Sequence, residues 1–226
     1  MLVLLTNDDG YGADGLKALE CVFKNIPYVM VAPKYEQSEC GHRVTTKRDI
    51  TVEQLEEKHF VVDGTPADCV RITLNELFPE ITHVVSGINH GANLGVDQYI
   101  SGTVAAAREG AYQQRQCYAV SQYIIKGLAL HWNEVAENFF EFFNQTQRKI
   151  FPENSFYNVN YPCLDGGIKK SQWVNAKPDI SPLPLSYEKN KASYRYNGIF
   201  RERQKNIGSD IDVCFGGDIS ISTIQI

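Results

Sequence analysis

The chain has no excess of basic charge: among 226 residues, 22 Lys and Arg stand against 27 Asp and Glu, a formal net charge of -5. That balance argues against the broad basic face with which proteins grip a nucleic-acid backbone, so no nucleic-acid partner is expected, and any phosphate must be met by local donors or a cation. Nor is there an apolar run long enough to span a membrane. Leu2 to Leu5 is too short for a span and reads as a buried strand, with no basic segment before it of the kind that opens a secretory signal. The six cysteines, at 21, 40, 69, 117, 163 and 214, contain no C-x-x-C pair, which points to a reducing, cytoplasmic setting. Cys21 and Cys69 are expected on buried helix faces and Cys117 in a buried strand, as small hydrophobes. The five histidines, at 42, 59, 83, 90 and 131, lack H-x-x-x-H or mixed Cys/His zinc spacing. The dinucleotide fingerprint G-x-G-x-x-G, the phosphate loop G-x-x-x-x-G-K-[ST] and any internal repeat are missing as well.

What is present suits an enclosed α/β core. Hydrophobic residues make up 43% of the chain, enough for one large domain. The first third alternates strand, Gly-rich loop, helix and strand: Leu2 to Thr6, a helix carrying Leu16, Leu19 and Phe23, then Tyr28 to Ala32. This is a βαβ unit with parallel strands. Ile50 to Val52 and Phe60 to Val62 read as a peripheral two-stranded excursion. Thr65-Pro66-Ala67-Asp68 opens a helix with a capping box and a proline at its first position. Further strands are expected at His83 to Ser86, Cys117 to Val120 and Phe156 to Asn160. Helices are expected at Val104 to Gln114 and Leu128 to Phe143, and the loop from Gly87 to Gly102 lies between the first of these strands and the first of these helices. From Cys163 to about Ser209 the chain is polar and proline-punctuated, as extended arms would be. Asp218 to Ile226 alternates with period two and reads as a final strand. The expected organisation is a single domain over 1–226, with its core in about 1–162 and an arm and oligomerisation region in about 163–226.

Three segments carry chemistry. Thr6-Asn7-Asp8-Asp9-Gly10 directly follows the first strand, on the sheet edge where ligand sites of open α/β folds gather. Two adjacent carboxylates repel unless a cation sits beside them, and with no histidine ligand at hand a hard, oxygen-seeking ion such as Mg²⁺ or Mn²⁺ is favoured over Zn²⁺. An ordinary turn would use the same residue types. Ser86-Gly87-Ile88-Asn89-His90-Gly91-Ala92-Asn93-Leu94-Gly95 offers asparagine amides on a flexible backbone. Ser101-Gly102-Thr103 opens a helix, where free N–H groups and a positive dipole end suit a phosphate, although a plain helix cap has the same composition. His42 and His90 lie in loops near these segments and are candidates for substrate contact or proton transfer.

Taken in order, these segments resemble the SurE family of metal-dependent nucleotidases. The resemblance rests on Thr6 to Gly10, Val31-Ala32-Pro33 with Gln37-Ser38, Gly64 to Val70, Val85 to Gly95, Ser101 to Gly110, Asn158-Val159-Asn160 and Asp218 to Ile221. It implies a Rossmann-like three-layer core with a mainly parallel sheet and C-terminal arms that pair between subunits as a homodimer or homotetramer. It further implies hydrolysis of nucleoside monophosphates with one divalent metal cation per subunit, held by Asp8, Asp9, Ser38 and Asn89. Asp8 and Asp9 would be the catalytic pair, and Asn7, Asn93, Ser101, Gly102 and Thr103 would lie near the substrate. The chain departs from the family pattern at Glu39, where glycine is usual, at Ile100, where tyrosine is usual before Ser-Gly-Thr, and in its tail, which is longer in the family. A non-catalytic nucleotide-binding protein of the same fold is the alternative. A zinc deacetylase would need histidines beside the aspartates, and a haloacid-dehalogenase-type phosphatase would need Asp-x-Asp after the first strand.

Overall fold

The computed structural model describes residues 1–149 and 151–226. Strand β1 (Val3–Thr6) is buried along its whole length, because Leu4 and Leu5 point into different cores. Leu5 joins Val3, Leu16, Leu19 and Phe23 on one side, and Leu4 joins Val29, Val70 and Val104 on the other. A strand covered on both faces must be apolar throughout, and Val3-Leu4-Leu5 is. Helix α1 (Asp14–Phe23) returns the chain to β2 (Tyr28–Pro33), which pairs with β1 in parallel, as the βαβ reading requires.

The next two strands correct the expectation of a peripheral excursion. β3 (Val52–Glu56) and β4 (His59–Val62) form the expected antiparallel pair, but β4 also pairs in parallel with β2. The excursion is therefore an edge of the main sheet. Helix α2 (Pro66–Ile72) opens with the expected capping box, in which Asp68 N–H donates to Thr65 Oγ1 at 3.2 Å and Thr65 N–H donates to Asp68 Oδ2 at 2.9 Å. A π-helical turn, Thr73–Leu77, follows.

Strand β5 (His83–His90) runs four residues past its expected end, with a register shift between Ser86 and Asn89. It lies on the other side of β1 from β2. Strand order thus reverses at β1 and β5, which makes their carboxyl ends the topological switch point where such sheets bind ligands. Helix α3 (Gly102–Tyr112), β6 (Gln116–Gln122), α4 (Trp132–Thr146) and β7 (Ser155–Tyr161) complete the parallel part. Both helices are shifted by two to four residues from their expected bounds.

The C-terminal part contributes more to the sheet than its sequence suggests. β11 (Ile219–Gln225) inserts antiparallel beside β7 and is flanked on its far side by the short parallel strand β8 (Trp173–Asn175). The nine-stranded order is β3-β4-β2-β1-β5-β6-β7-β11-β8, with α1 and α4 on one face and α2 and α3 on the other. β9 (Tyr187–Asn190) and β10 (Ser193–Tyr196) form a separate hairpin, exposed at every position. Helix α5 (Asp210–Phe215) was not expected from the sequence. Cys69 and Cys117 are buried, whereas Cys21 lies on the outward face of α1.

Candidate active site

The carboxyl end of β1 runs straight into the acidic turn. Asn7 shapes it by donating its side-chain N–H to the Gly10 carbonyl at 2.8 Å, which leaves Asn7 Oδ1 buried without a partner. Asp8 is 6% exposed and packs against the start of α3. The Thr103 hydroxyl donates to Asp8 Oδ1. A Cβ on Gly102 would stand 2.8 Å from Asp8 Cβ and 2.9 Å from Asp8 Oδ2, so only glycine allows the helix to approach this closely. Ser101 caps the helix, its hydroxyl accepting from Val104 N–H at 3.1 Å. The carboxylate thus meets a helix N-terminus, where unpaired N–H groups and the helix dipole also favour a phosphate.

Asp9 is half-buried and turns toward β5, where Asp9 Oδ2 accepts from His90 N–H at 3.0 Å. That bond brings the neighbouring Asn89 to the site. The Asn89 side-chain N–H donates to the Gly91 carbonyl at 2.6 Å, leaving its carbonyl oxygen as an available ligand. The loop after β2 closes the third side through Gln37 N–H, which donates to the Asp8 carbonyl at 2.8 Å. Ser38 follows immediately, exposed, with its hydroxyl donating to Glu36 Oε1 at 2.5 Å. Glu39 sits at φ 57°, the left-handed region that glycine enters without a Cβ penalty. This is the position where the family pattern has glycine.

Asn93 lies deeper. Its N–H donates to Asn160 Oδ1 at 2.7 Å and its side-chain N–H to Ser121 Oγ at 2.8 Å, while its carbonyl accepts from the side chains of Asn158 and Asn160. The Asn158-Val159-Asn160 segment of β7 therefore pins the loop that follows β5. His42 is bonded to Glu109 at 2.9 Å.

Burial pushes the Asp8 carboxyl up to about 6, helped by the Asp9 charge and opposed by the Thr103 hydrogen bond. Asp9 is also raised, by burial first and by the Glu36 charge, against the pull of the His90 N–H. Neither forms an ion pair among the described residues. Two crowded carboxylates with depleted solvation are stabilised by a cation. The donors at hand are oxygen atoms of Asp8, Asp9, Asn89 and Ser38, so the set fits a hard divalent ion completed by water or phosphate. Among the described residues no group of three or more His, Cys, Asp or Glu side chains could hold a metal alone, and the neutral oxygens are therefore needed.

Four contributors are hard to read from sequence. Asp97, in the 3-10 turn Gly95–Tyr99 before Ser101, accepts from Ile100 and Ser101 N–H through its carbonyl. Its carboxylate pairs at 2.5 Å with the fully buried Arg203 side chain from the C-terminal segment. Trp132 and Glu36 line a cleft beside Asp9. None of the four stands in a motif, and only the fold places them here.

These features define a class: a Rossmann-like α/β protein with an acidic, oxygen-donor site facing a helix N-terminus at the switch point of its sheet. The survival protein SurE family matches residues 3–179, and the chain belongs to that family. A relative from Synechocystis sp. is 40% identical with both chains covered in full. The 5'-nucleotidase SurE of Leptospira interrogans is 39% identical, over 100% of this chain and 92% of its own. The crystal structure of the SurE protein from Aquifex aeolicus superposes with a TM-score of 0.87 at 27% identity, covering 100% of this chain and 93% of that one.

Proposed function

We propose that the protein is a divalent-metal-dependent phosphomonoesterase that hydrolyses nucleoside monophosphates to nucleoside and phosphate, as a 5'-nucleotidase and in the same site on 3'-nucleotides. The observation that carries this reading is the contact of Asp8 with Gly102 and Thr103, in which a cation-seeking carboxylate and a phosphate-seeking helix end lie within hydrogen-bond distance of each other. Membership of a family whose relatives are named 5'-nucleotidase supports it. Among the described residues no helix is long and apolar enough to cross a membrane.

Asp8, Asp9, Asn89 and Ser38 would hold Mg²⁺ or Mn²⁺, one ion per subunit. When bound, the ion neutralises phosphate charge and lowers the pKa of a coordinated water. Ser101, Gly102 and Thr103 receive the phosphate oxygens at the N-terminus of α3, with Asn7 and Asn93 fixing the two loops that frame them. Asp8 takes a proton from the attacking water or attacks phosphorus itself. Trapping of a phosphorylated aspartate under burst conditions separates these two routes. Chain 1–226 acts as one domain of cytoplasmic type, and its hairpin arm pairs with a second copy in a homodimer or homotetramer.

The test is phosphate release from 5'- and 3'-nucleoside monophosphates after chelation, with Mg²⁺, Mn²⁺ or Zn²⁺ restored, wild type beside Asp8→Asn. Metal-dependent release that disappears in the variant is expected. A folded protein that binds nucleotides but releases no phosphate with any metal would instead be the non-catalytic binder.

A further inference from the structure

A cleft of about 380 Å³ opens beside Asp9, lined by Asp9, Asp14, Glu36, His90, Leu130 and Trp132 among others. Its size falls within the range of small-ligand sites, and it shares Asp9 with the candidate metal site. Two rings face into it from different elements. Trp132 is the first residue of α4, half-buried and packed against the main core. His90 ends β5 and is tethered through its backbone N–H to Asp9. The ring centroids lie 6.2 Å apart at 41°, so the pair forms an open corner and is not stacked shut. Trp173, the other tryptophan, donates its indole N–H to Asn138 at 2.7 Å. Among the described residues the Trp132 indole N–H has no such bond.

The charge of the cleft restricts its occupant. Its lining holds three carboxylates, from Asp9, Asp14 and Glu36, and no lysine or arginine. A second or third phosphate would meet uncompensated negative charge there. A flat neutral group that carries N–H or O–H donors would find aromatic faces and carboxylate acceptors.

We infer that this cleft is the nucleoside subsite of the Asp8 centre, with Trp132 and His90 as its aromatic faces and Asp14 and Glu36 as acceptors for base amino or ribose hydroxyl groups. The inference rests on the phosphomonoesterase reading. It makes Trp132 a specificity determinant from outside every recognisable motif, and the acidic lining disfavours di- and triphosphates.

The experiment compares kcat/KM for AMP with kcat/KM for p-nitrophenyl phosphate, which has no nucleoside, in wild type, Trp132→Ala and Trp132→Phe. Stacking on one ring corresponds to a loss of about 10-fold. The AMP to p-nitrophenyl phosphate ratio is expected to fall by that factor in Trp132→Ala, through KM, and to be restored in Trp132→Phe. A second arm follows Trp132 fluorescence in Trp173→Phe: AMP with Mg²⁺ quenches it and inorganic phosphate with Mg²⁺ does not. An unchanged ratio in Trp132→Ala, or equal fluorescence with AMP and phosphate, overturns the subsite. If neither ester is hydrolysed, the phosphomonoesterase reading fails, and the fluorescence arm still decides whether a nucleotide occupies this cleft.

Discussion

Asp8 serves binding at the expense of folding. With its carboxyl raised from 3.8 to about 6, the folded chain holds that proton more tightly than the unfolded chain does. Its contribution to stability is therefore greatest below pH 4 and is lost as pH rises through about 6. At pH 7.5 and without metal the cost amounts to about 3 kcal/mol. Asp8→Asn keeps an acceptor for the Thr103 hydroxyl and removes the charge, so the metal-free variant should be more stable than wild type at pH 7.5 by roughly that amount. The gain should shrink to about 1 kcal/mol near pH 4.5, as urea unfolding in EDTA at the two pH values would show. Excess Mg²⁺ or Mn²⁺ should stabilise wild type and leave the variant unmoved. Gly102→Ala tests the same contact from the helix side. Alanine is the better helix former, but its Cβ would force Asp8 or the start of the helix aside, so phosphate release should fall by 10-fold or more and the melting temperature should drop, and a variant with wild-type release and stability would show that the contact is not needed. Asp8, Asp9 and Thr103 could be read from sequence because a strand end and a helix start announce themselves locally. The strained backbone at Glu39 could be anticipated only through the glycine it replaces. Trp132 could not be anticipated, because an aromatic at a helix start looks like any amphipathic residue until the fold sets it beside Asp9.

At the scale of elements, what holds the site is a set of caps and long-range pairs. The α2 capping box does more than start a helix. Thr65 also donates its hydroxyl to the Arg43 carbonyl at 2.6 Å, and Asp68 accepts from Thr45 N–H and Oγ1, so the box anchors the loop that leads from Ser38. Thr65→Ala should cost about 1–2 kcal/mol in denaturant unfolding and raise amide exchange over residues 40–46. The cap itself was readable as Thr-Pro-Ala-Asp, but its hold on the loop was not, because hydrogen bonds to residues 22 and 23 positions away leave no local pattern. Arg203 and Asp97 extend the point, since they are 106 residues apart and Arg203 sits in a stretch that reads as solvated arm. Arg203→Met strands a buried carboxylate and should destabilise by about 3–5 kcal/mol. Adding Asp97→Asn should recover part of that loss, and a double variant no more stable than the single would show that the pair is not coupled.

At the scale of the whole molecule, the parallel sheet and its switch point follow from alternating buried strands and amphipathic helices, but its far edge does not. Ile219-Ser220-Ile221-Ser222 shows its period of two, yet pairing β11 between β7 and β8 depends on the course of some sixty intervening residues with no regular pattern of their own. Within that stretch the hairpin of β9 and β10 stands apart from the sheet, with Tyr187 59% and Tyr194 66% exposed, beside Ile180 at 87% and Leu185 at 81%. An isolated two-stranded hairpin is at best marginally stable in water, and apolar side chains exposed in such number are what a partner surface would cover. The arm should therefore be ordered by a second copy of the chain, giving a dimer or tetramer at micromolar concentration in sedimentation velocity. Replacing Leu185, Tyr187 and Tyr194 together by serine should shift the protein to monomer. Because the residues assigned to chemistry lie between Asn7 and Trp132 of a single chain, the monomer should still release phosphate, with a lower melting temperature. A wild type that sediments as a monomer at all concentrations would leave the arm without its partner, and loss of turnover in a folded monomeric variant would mean that the neighbouring copy completes the site.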